Sequence, residues 1–321
     1  MIVADLSPAD LDQTLRRAGL RVRTGPVVTN IRTAVRSVRE GIARHYAQHV
    51  VEAEDGFADF HLSVETQRAA RLRSAVETVL LFDGAPPLAR CPGEDGYPLL
   101  EWGLNWCVSG HCHQYLMVRG AVLERHGRAL VLPGPAGVGK STLAAALAFV
   151  GGWRLLSDAL VLIDPQTGRV MPLPRPIELK NASIGAIRAL APAASFGAGG
   201  HTTPRGHFAY VHPPANSLAD DASVLPAWIA VARYEPADVA HMRPLGRPPA
   251  FMSLVDNALN YHVHARRGFA ALTGLVERCA CYHGTYSNLL EAVTMFGSLP
   301  TGGHAAATPL GGPARSALGA R

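Results

Sequence analysis

Residues 134–141, Gly134-Pro135-Ala136-Gly137-Val138-Gly139-Lys140-Ser141, constrain this chain more than any other stretch. They satisfy the pattern G-x-x-x-x-G-K-[ST], a Walker A match expected by chance only about 0.002 times at this composition. The apolar run Ala129-Leu130-Val131-Leu132 enters the loop as a strand, and Ser141-Thr142-Leu143-Ala144-Ala145-Ala146-Leu147 leaves it as a strong helix former. Glycines let such a loop wrap so that its N–H groups point at phosphate oxygens, and the helix N-terminus adds positive potential. Gly134, Pro135, Ala136, Gly137, Val138, Gly139, Lys140, Ser141 and Thr142 are therefore the candidate nucleotide-phosphate contacts. Lys140 is expected to reach the β- and γ-phosphates, and the Ser141 hydroxyl to help hold Mg²⁺. The competing reading is a glycine-rich turn that binds no nucleotide.

Composition narrows the field further. Of the 30 basic residues only Lys140 and Lys180 are lysine, so a compact ammonium survives at one position where a guanidinium would overfill a backbone cradle. Hydrophobic residues make up 48% and charged residues 17%, which excludes a disordered chain. The first residues carry no basic, then apolar, leader, and no run is long and apolar enough to span a membrane. Five cysteines without a disulfide framework point to a reducing cytoplasm. The net charge of +5 is scattered rather than clustered, so no nucleic acid partner is expected.

The chain reads as a small α+β domain over residues 1–95, a larger α/β unit over 96–298 and a disordered tail over 299–321. In the first, strand-like runs at 20–23, 57–65 and 76–82 alternate with a helical stretch at 32–49. Residues 87–98 form a connector, and 99–118 are aromatic with helical period. After the loop come a helix to Val150, one strand over 155–163, and a hairpin turn at Asp164-Pro165-Gln166-Thr167-Gly168. Residues 195–225 read as a long mobile loop, and 251–296 as helical.

An acid after the loop decides what such a site can do. Gly151-Gly152-Trp153-Arg154-Leu155-Leu156-Ser157-Asp158 resembles the corresponding run of bacterial HPr kinase/phosphorylases. The chain as a whole resembles the relatives termed HprK-related kinase A. The matching stretches are Leu99 to Cys107 with His111, His113 and Gln114; the loop; Leu155 to Asp158; Pro172-Leu173-Pro174-Arg175-Pro176 with Leu179-Lys180-Asn181; and the Asn260-Tyr261 and Cys281-Tyr282 regions.

The resemblance implies a P-loop, PEP-carboxykinase-like α/β core with a small N-terminal α+β domain. It also implies ATP- and Mg²⁺-dependent phosphorylation of a serine hydroxyl on a protein or peptide acceptor. Asp158 maps to the acid that takes the hydroxyl proton or helps hold Mg²⁺, and Glu178 to a magnesium-side carboxylate with Lys180 as its basic partner. The family also places a basic residue at Arg205, in Thr202-Thr203-Pro204-Arg205-Gly206, and an arginine on a mobile loop there fits either folding over the γ-phosphate or standing solvated. HPr kinases are hexamers, which leaves a homo-oligomer open. The sequence departs from the family at Ala159, where a second acid is usual, and at Arg119, where a histidine is usual. These departures bring in a nucleotide-binding adaptor as one alternative; a tailoring kinase of ribosomally made peptides is another.

Other constellations are weaker. Leu160-Val161-Leu162-Ile163-Asp164 has the form of a Walker B strand, but Pro165 and Gly168 favour a hairpin role for Asp164. On a strand, Glu178 and Lys180 share one face, so either a joint site or a solvated ion pair fits them. Cys107-x-x-x-His111-Cys112-His113 and Cys279-Ala280-Cys281 lack zinc-site spacing. No nucleophile-elbow motif is present.

Overall fold

The computed structural model describes residues 1–68, 76–197, 201–203, 206–236 and 239–300. The amino-terminal part runs α1 (Pro8–Arg16), β1 (Leu20–Thr24), β2 (Val27–Thr33), α2 (Arg36–His45), β3 (Phe60–Arg68), β4 (Val76–Phe82), β5 (Cys91–Pro92) and α3 (Gly96–His111). Helix α1 starts where Ser7 caps it, the Ser7 hydroxyl accepting the Asp10 N–H at 3.1 Å, with Pro8 in the first turn. The strands form a sheet in the order β1-β2-β3-β4-β5. Only β2 and β3 run parallel, and α2 lies in the connection between them.

The rest of the chain runs β6 (Leu116–Arg125), β7 (Arg128–Pro133), α4 (Lys140–Phe149), β8 (Arg154–Ser157), β9 (Leu160–Ile163), β10 (Val170–Met171) and β11 (Ile177–Lys180). It continues through α5 (Ala182–Leu190), β12 (His201–Thr203), β13 (Gly206–Val211), β14 (Leu225–Tyr234), β15 (His241–Pro244), α6 (Arg247–Asp256), α7 (Tyr261–Arg278), β16 (Ala280–Tyr286) and α8 (Leu289–Gly297). Among the described residues the main sheet has the order β10-β9-β6-β7-β14-β16-β15, with β8 also paired to β6. Strands β7, β14 and β16 are parallel to one another, and the remaining pairings are antiparallel. A smaller sheet, β11-β13-β12, flanks it.

The two-residue period of β7 explains its uninterrupted apolar sequence. Leu130 and Leu132 face one way, into a core with Leu143, Ala144 and Leu147 of α4. Ala129 and Val131 face the other way, into a core with Leu254 of α6 and Leu272 and Leu275 of α7. A strand buried on both faces has no polar side to show, and helices on both sides of the sheet give mixed α/β layering. Helix α7 is kinked at Ala265, whose φ of 45° lies in the left-handed region. A third core joins the amino-terminal part to the main sheet, packing Leu99, Leu100 and Leu104 of α3 with Leu160 and Leu162 of β9 and Phe208 and Tyr210 of β13. No helix among the described residues is long and apolar enough to cross a membrane.

Several elements differ from the sequence expectation. The strand expected over 155–163 is two, because Ala159 takes a left-handed φ of 73° and turns the chain so that β8 and β9 both pair with β6. The helix expected to reach Val118 stops at His111, and residues from Leu116 onward pair with β9. The region expected as a mobile loop contains β13, whose Gly206 to Val211 backbone is claimed by pairing with β11 and β12. The helical reading of 251–296 is interrupted by β16, which pairs with β14. Leu299, placed in the expected tail, is buried against the α4 side of the sheet, while residues 301–321 lie outside the described part.

Helices α2 and α3 approach so closely that only glycine fits at position 41, where a Cβ would lie 2.0 Å from the Tyr97 ring. Gly41→Ala is expected to cost about 1–3 kcal/mol through overpacking, read as a lower midpoint in chemical denaturation.

Candidate functional site

The glycine-rich loop joins the carboxyl end of β7 to the amino end of α4. Gly137 and Gly139 have φ of 89° and 93°, values that a side chain would strain, and Gly139 is the N-cap of α4. The Gly134 N–H donates to the Arg119 carbonyl at 3.2 Å, tying the loop's entry to β6. Pro135, Ala136 and Gly137 are exposed, Val138 and Gly139 half-buried, and Gly134 and Lys140 buried. Ser141 and Thr142 open the first turn of α4, both half-buried.

Lys140 bends back over its own loop and donates from Nζ to the Pro135 carbonyl at 2.6 Å. Burial lowers the basicity of its ammonium, Asp158 offsets this, and Arg119 adds to the lowering. Arg119 is therefore an exposed cation close enough to bias Lys140.

Asp158 sits in the turn between β8 and β9. Two contacts shape that turn: the Ser157 hydroxyl donates to the Leu160 carbonyl, and the Gly120 N–H donates to the Ala159 carbonyl at 3.2 Å. The turn brings the Asp158 carboxylate to the first turn of α4, where Oδ1 accepts the Ser141 hydroxyl at 3.0 Å. Burial pushes the Asp158 carboxyl up to about 6, against the opposing pull of the Ser141 hydroxyl, the Ala159 N–H and Lys140; Glu178 adds to the rise. A carboxyl that titrates near neutrality beside a lysine and a helix N-terminus is suited to proton transfer.

Glu178 and Lys180 project from the same face of β11, and Lys180 Nζ pairs with Glu178 Oε1 at 2.8 Å. The other carboxylate oxygen, Oε2, accepts the Tyr210 hydroxyl at 3.0 Å and the Trp102 indole N–H at 3.3 Å. Glu178 thus stands between Asp158, whose carboxyl it raises, and helix α3. Behind it lies a buried acid that sequence reading missed: Glu101 Oε1 accepts the hydroxyls of Tyr46 at 2.7 Å and Tyr97 at 2.8 Å. Burial raises the Glu101 carboxyl, with Arg175 and the two tyrosines opposing. Its sequence signals are an isolated Glu in an apolar helix and a place within the Leu99–Cys107 stretch.

Lys140, Ser141 and Asp158 therefore meet in one place, with Glu178 beside them, whereas Lys180 is held outward by its ion pair with a side chain 56% exposed. Arg205 lies outside the described residues. Asp164 takes the hairpin role: its carboxylate accepts the Gln166 N–H at 2.8 Å and the Thr167 hydroxyl at 2.6 Å. No three His, Cys, Asp or Glu side chains converge on one point among the described residues. Burial pushes the Cys107 thiol up to about 12, and His111 stacks on Phe82 with ring centroids 5.0 Å apart. Asn260 is a structural tie: its side chain accepts the Met117 N–H at 2.9 Å and donates to the Tyr115 carbonyl at 2.8 Å. A groove of about 330 Å³ lined by Glu124, Arg154, Arg169, Asp220 and Ser223 opens beside the β6–β7 turn, at the opposite end of β7 from the loop.

Comparison with protein-family models and with curated proteins finds no match to this chain.

The raised Asp158 carboxyl has a consequence for stability. Between its ordinary value of 3.8 and about 6 the folded protein holds a proton that the unfolded chain has released, so stability falls as pH rises through that window. A shift of this size corresponds to roughly 2–3 kcal/mol. Asp158→Asn is expected to flatten the fall between pH 4 and 6 and to raise the denaturation midpoint at pH 7.5; an unchanged pH profile would contradict the burial of this carboxyl.

Proposed function

We propose that this chain is an ATP- and Mg²⁺-dependent protein serine kinase related to the HPr kinases, transferring the γ-phosphoryl group to a hydroxyl of a partner protein or peptide. The observation that carries this reading is the 3.0 Å hydrogen bond from Ser141 to Asp158 at the amino end of α4, beside the buried Lys140. A loop amide cradle and a lysine are what a polyphosphate needs, and an acid with a near-neutral titration is what an acceptor hydroxyl needs.

The donor set fits magnesium. Ser141 Oγ and the Asp158 carboxylate are hard oxygen ligands, Glu178 supplies a further carboxylate nearby, and Mg²⁺ takes one or two such groups and completes its shell with phosphate and water. When bound, the ion neutralises charge on the β- and γ-phosphate oxygens. Lys140 leaves the Pro135 carbonyl and donates to phosphate instead. Asp158 accepts the proton of the acceptor hydroxyl as its oxygen bonds to the γ-phosphorus. The bond from that phosphorus to the β,γ-bridging oxygen breaks, and ADP departs. Arg119, whose charge acts on Lys140, is a permanent cation, whereas a histidine there could also exchange a proton. The forward transfer therefore takes Asp158 as its base.

A nucleotide-dependent adaptor is the second reading, favoured by Ala159, which puts no second carboxylate into the turn and stands exposed. Transfer of label from γ-labelled ATP to proteins and peptides of the host lysate separates the two. The kinase reading expects a labelled acceptor and losses of at least about 100-fold in Asp158→Asn. Lys140→Arg is expected to lose most transfer. Lys180→Arg is expected to change it less than about twofold, because an exposed ion pair contributes little. Nucleotide binding with no labelled acceptor would favour the adaptor, and full transfer by Asp158→Asn would remove the assigned base.

A further inference from the structure

The loop has two unlike flanks. On one side the sheet order runs from β7 to β6 and β9, and there Asp158 meets Ser141. On the other side it runs from β7 to β14 and β16, both parallel to β7, so their carboxyl ends open at the same sheet edge as the loop. Both strands end in tyrosine, Tyr234 on β14 and Tyr286 on β16, and the two are register partners.

These rings adjoin the loop directly. A Cβ built on Gly139 would lie 3.1 Å from Tyr286 Oη and 3.4 Å from Tyr234 Cβ. The Tyr286 ring is buried at 1% exposure, and its hydroxyl donates to the Gly139 carbonyl at 3.4 Å. Tyr234 packs on it edge to face, with centroids 5.9 Å apart at 69°. The Glu235 N–H donates to the Tyr286 carbonyl at 2.9 Å, which fixes the backbone just beyond the Tyr234 ring. Tyr234 itself is 53% exposed. One aromatic ring is thus pinned under the loop and holds a second at the surface, on the flank away from the acid.

We propose that Tyr234 is the platform on which the base of the bound nucleotide stacks, with Tyr286 as the support that fixes its orientation. This rests on the nucleotide-binding reading above and names the part of the nucleotide that the loop does not explain. With its phosphates in the loop and its γ-phosphate toward Asp158, a nucleotide has its base directed to the opposite flank, where the exposed ring stands. Stacking on a single ring selects for an aromatic base rather than for a particular one, since every base presents a π-face.

The test compares affinities of Mg²⁺-ATP and Mg²⁺-tripolyphosphate, by calorimetry, for the unmodified chain, Tyr234→Ala and Tyr234→Phe. Tyr234→Ala is expected to weaken ATP about tenfold and leave tripolyphosphate unchanged, and Tyr234→Phe to keep ATP affinity within about twofold. Unchanged ATP affinity in Tyr234→Ala overturns the proposal, and so does equal weakening of both probes, which would mean that the change only distorts Gly139. If tripolyphosphate binds the unmodified chain as tightly as ATP does, the base platform falls while the phosphate loop stands. Failure of both probes to bind the unmodified chain overturns the nucleotide reading together with this one.

Discussion

The hydrogen bond from Ser141 to Asp158 joins the two halves of the candidate site, and the central sheet is arranged so that it can form. Asp158 reaches α4 only because β6 pairs with β7 along one edge and with both β8 and β9 along the other. The left-handed Ala159 then folds β9 back beside β8 and leaves Asp158 at the apex of the turn. Non-glycine residues adopt that conformation at a cost of roughly 1–2 kcal/mol, borne here by the pairings on either side. The loop and the acid therefore come from stretches separated by α4 yet share one anchoring strand, whose Arg119 carbonyl also holds Gly134.

The site is connected to the rest of the molecule through polar side chains rather than through the apolar core alone. Glu178 is held by Tyr210 and Trp102, and Glu101, one residue before Trp102, is held by Tyr46 and Tyr97 of the amino-terminal part. Satisfied hydrogen bonds of this kind keep a buried carboxyl in one place, and a half-satisfied arrangement would be costly. The amino-terminal sheet, through α2 and α3, thereby helps to fix the Glu178 carboxylate that acts on Asp158. The opposite flank is built differently, from two stacked tyrosines.

Much of this was legible in the sequence where local chemistry is self-sufficient. The glycine-rich loop, the apolar strand before it, the alanine-rich helix after it and the Asp164 turn each depend on residues within a few positions, and each stands where the sequence places it. The shared face of Glu178 and Lys180 followed from the two-residue period of a strand. What escaped depends on distant partners. Strand β13 lies in a stretch that reads as a loop and β16 in one that reads as helical, and both are set by neighbours far along the chain, while Ala159 gives no sign in composition that it will turn left-handed. Glu101, Tyr210 and Tyr234 acquire their roles only when α3, β13 and β14 are brought to the site. Arg205 lies outside the described residues, so its expected role stands on sequence alone.

In the proposed kinase the backbone N–H groups of residues 136–142 cradle a nucleotide's phosphates. Amide hydrogen exchange with and without Mg²⁺-ATP measures this directly. Slowed exchange is expected across that loop and the first turn of α4. Unchanged exchange there, with slowing instead around the groove at Arg154 and Arg169, would contradict it.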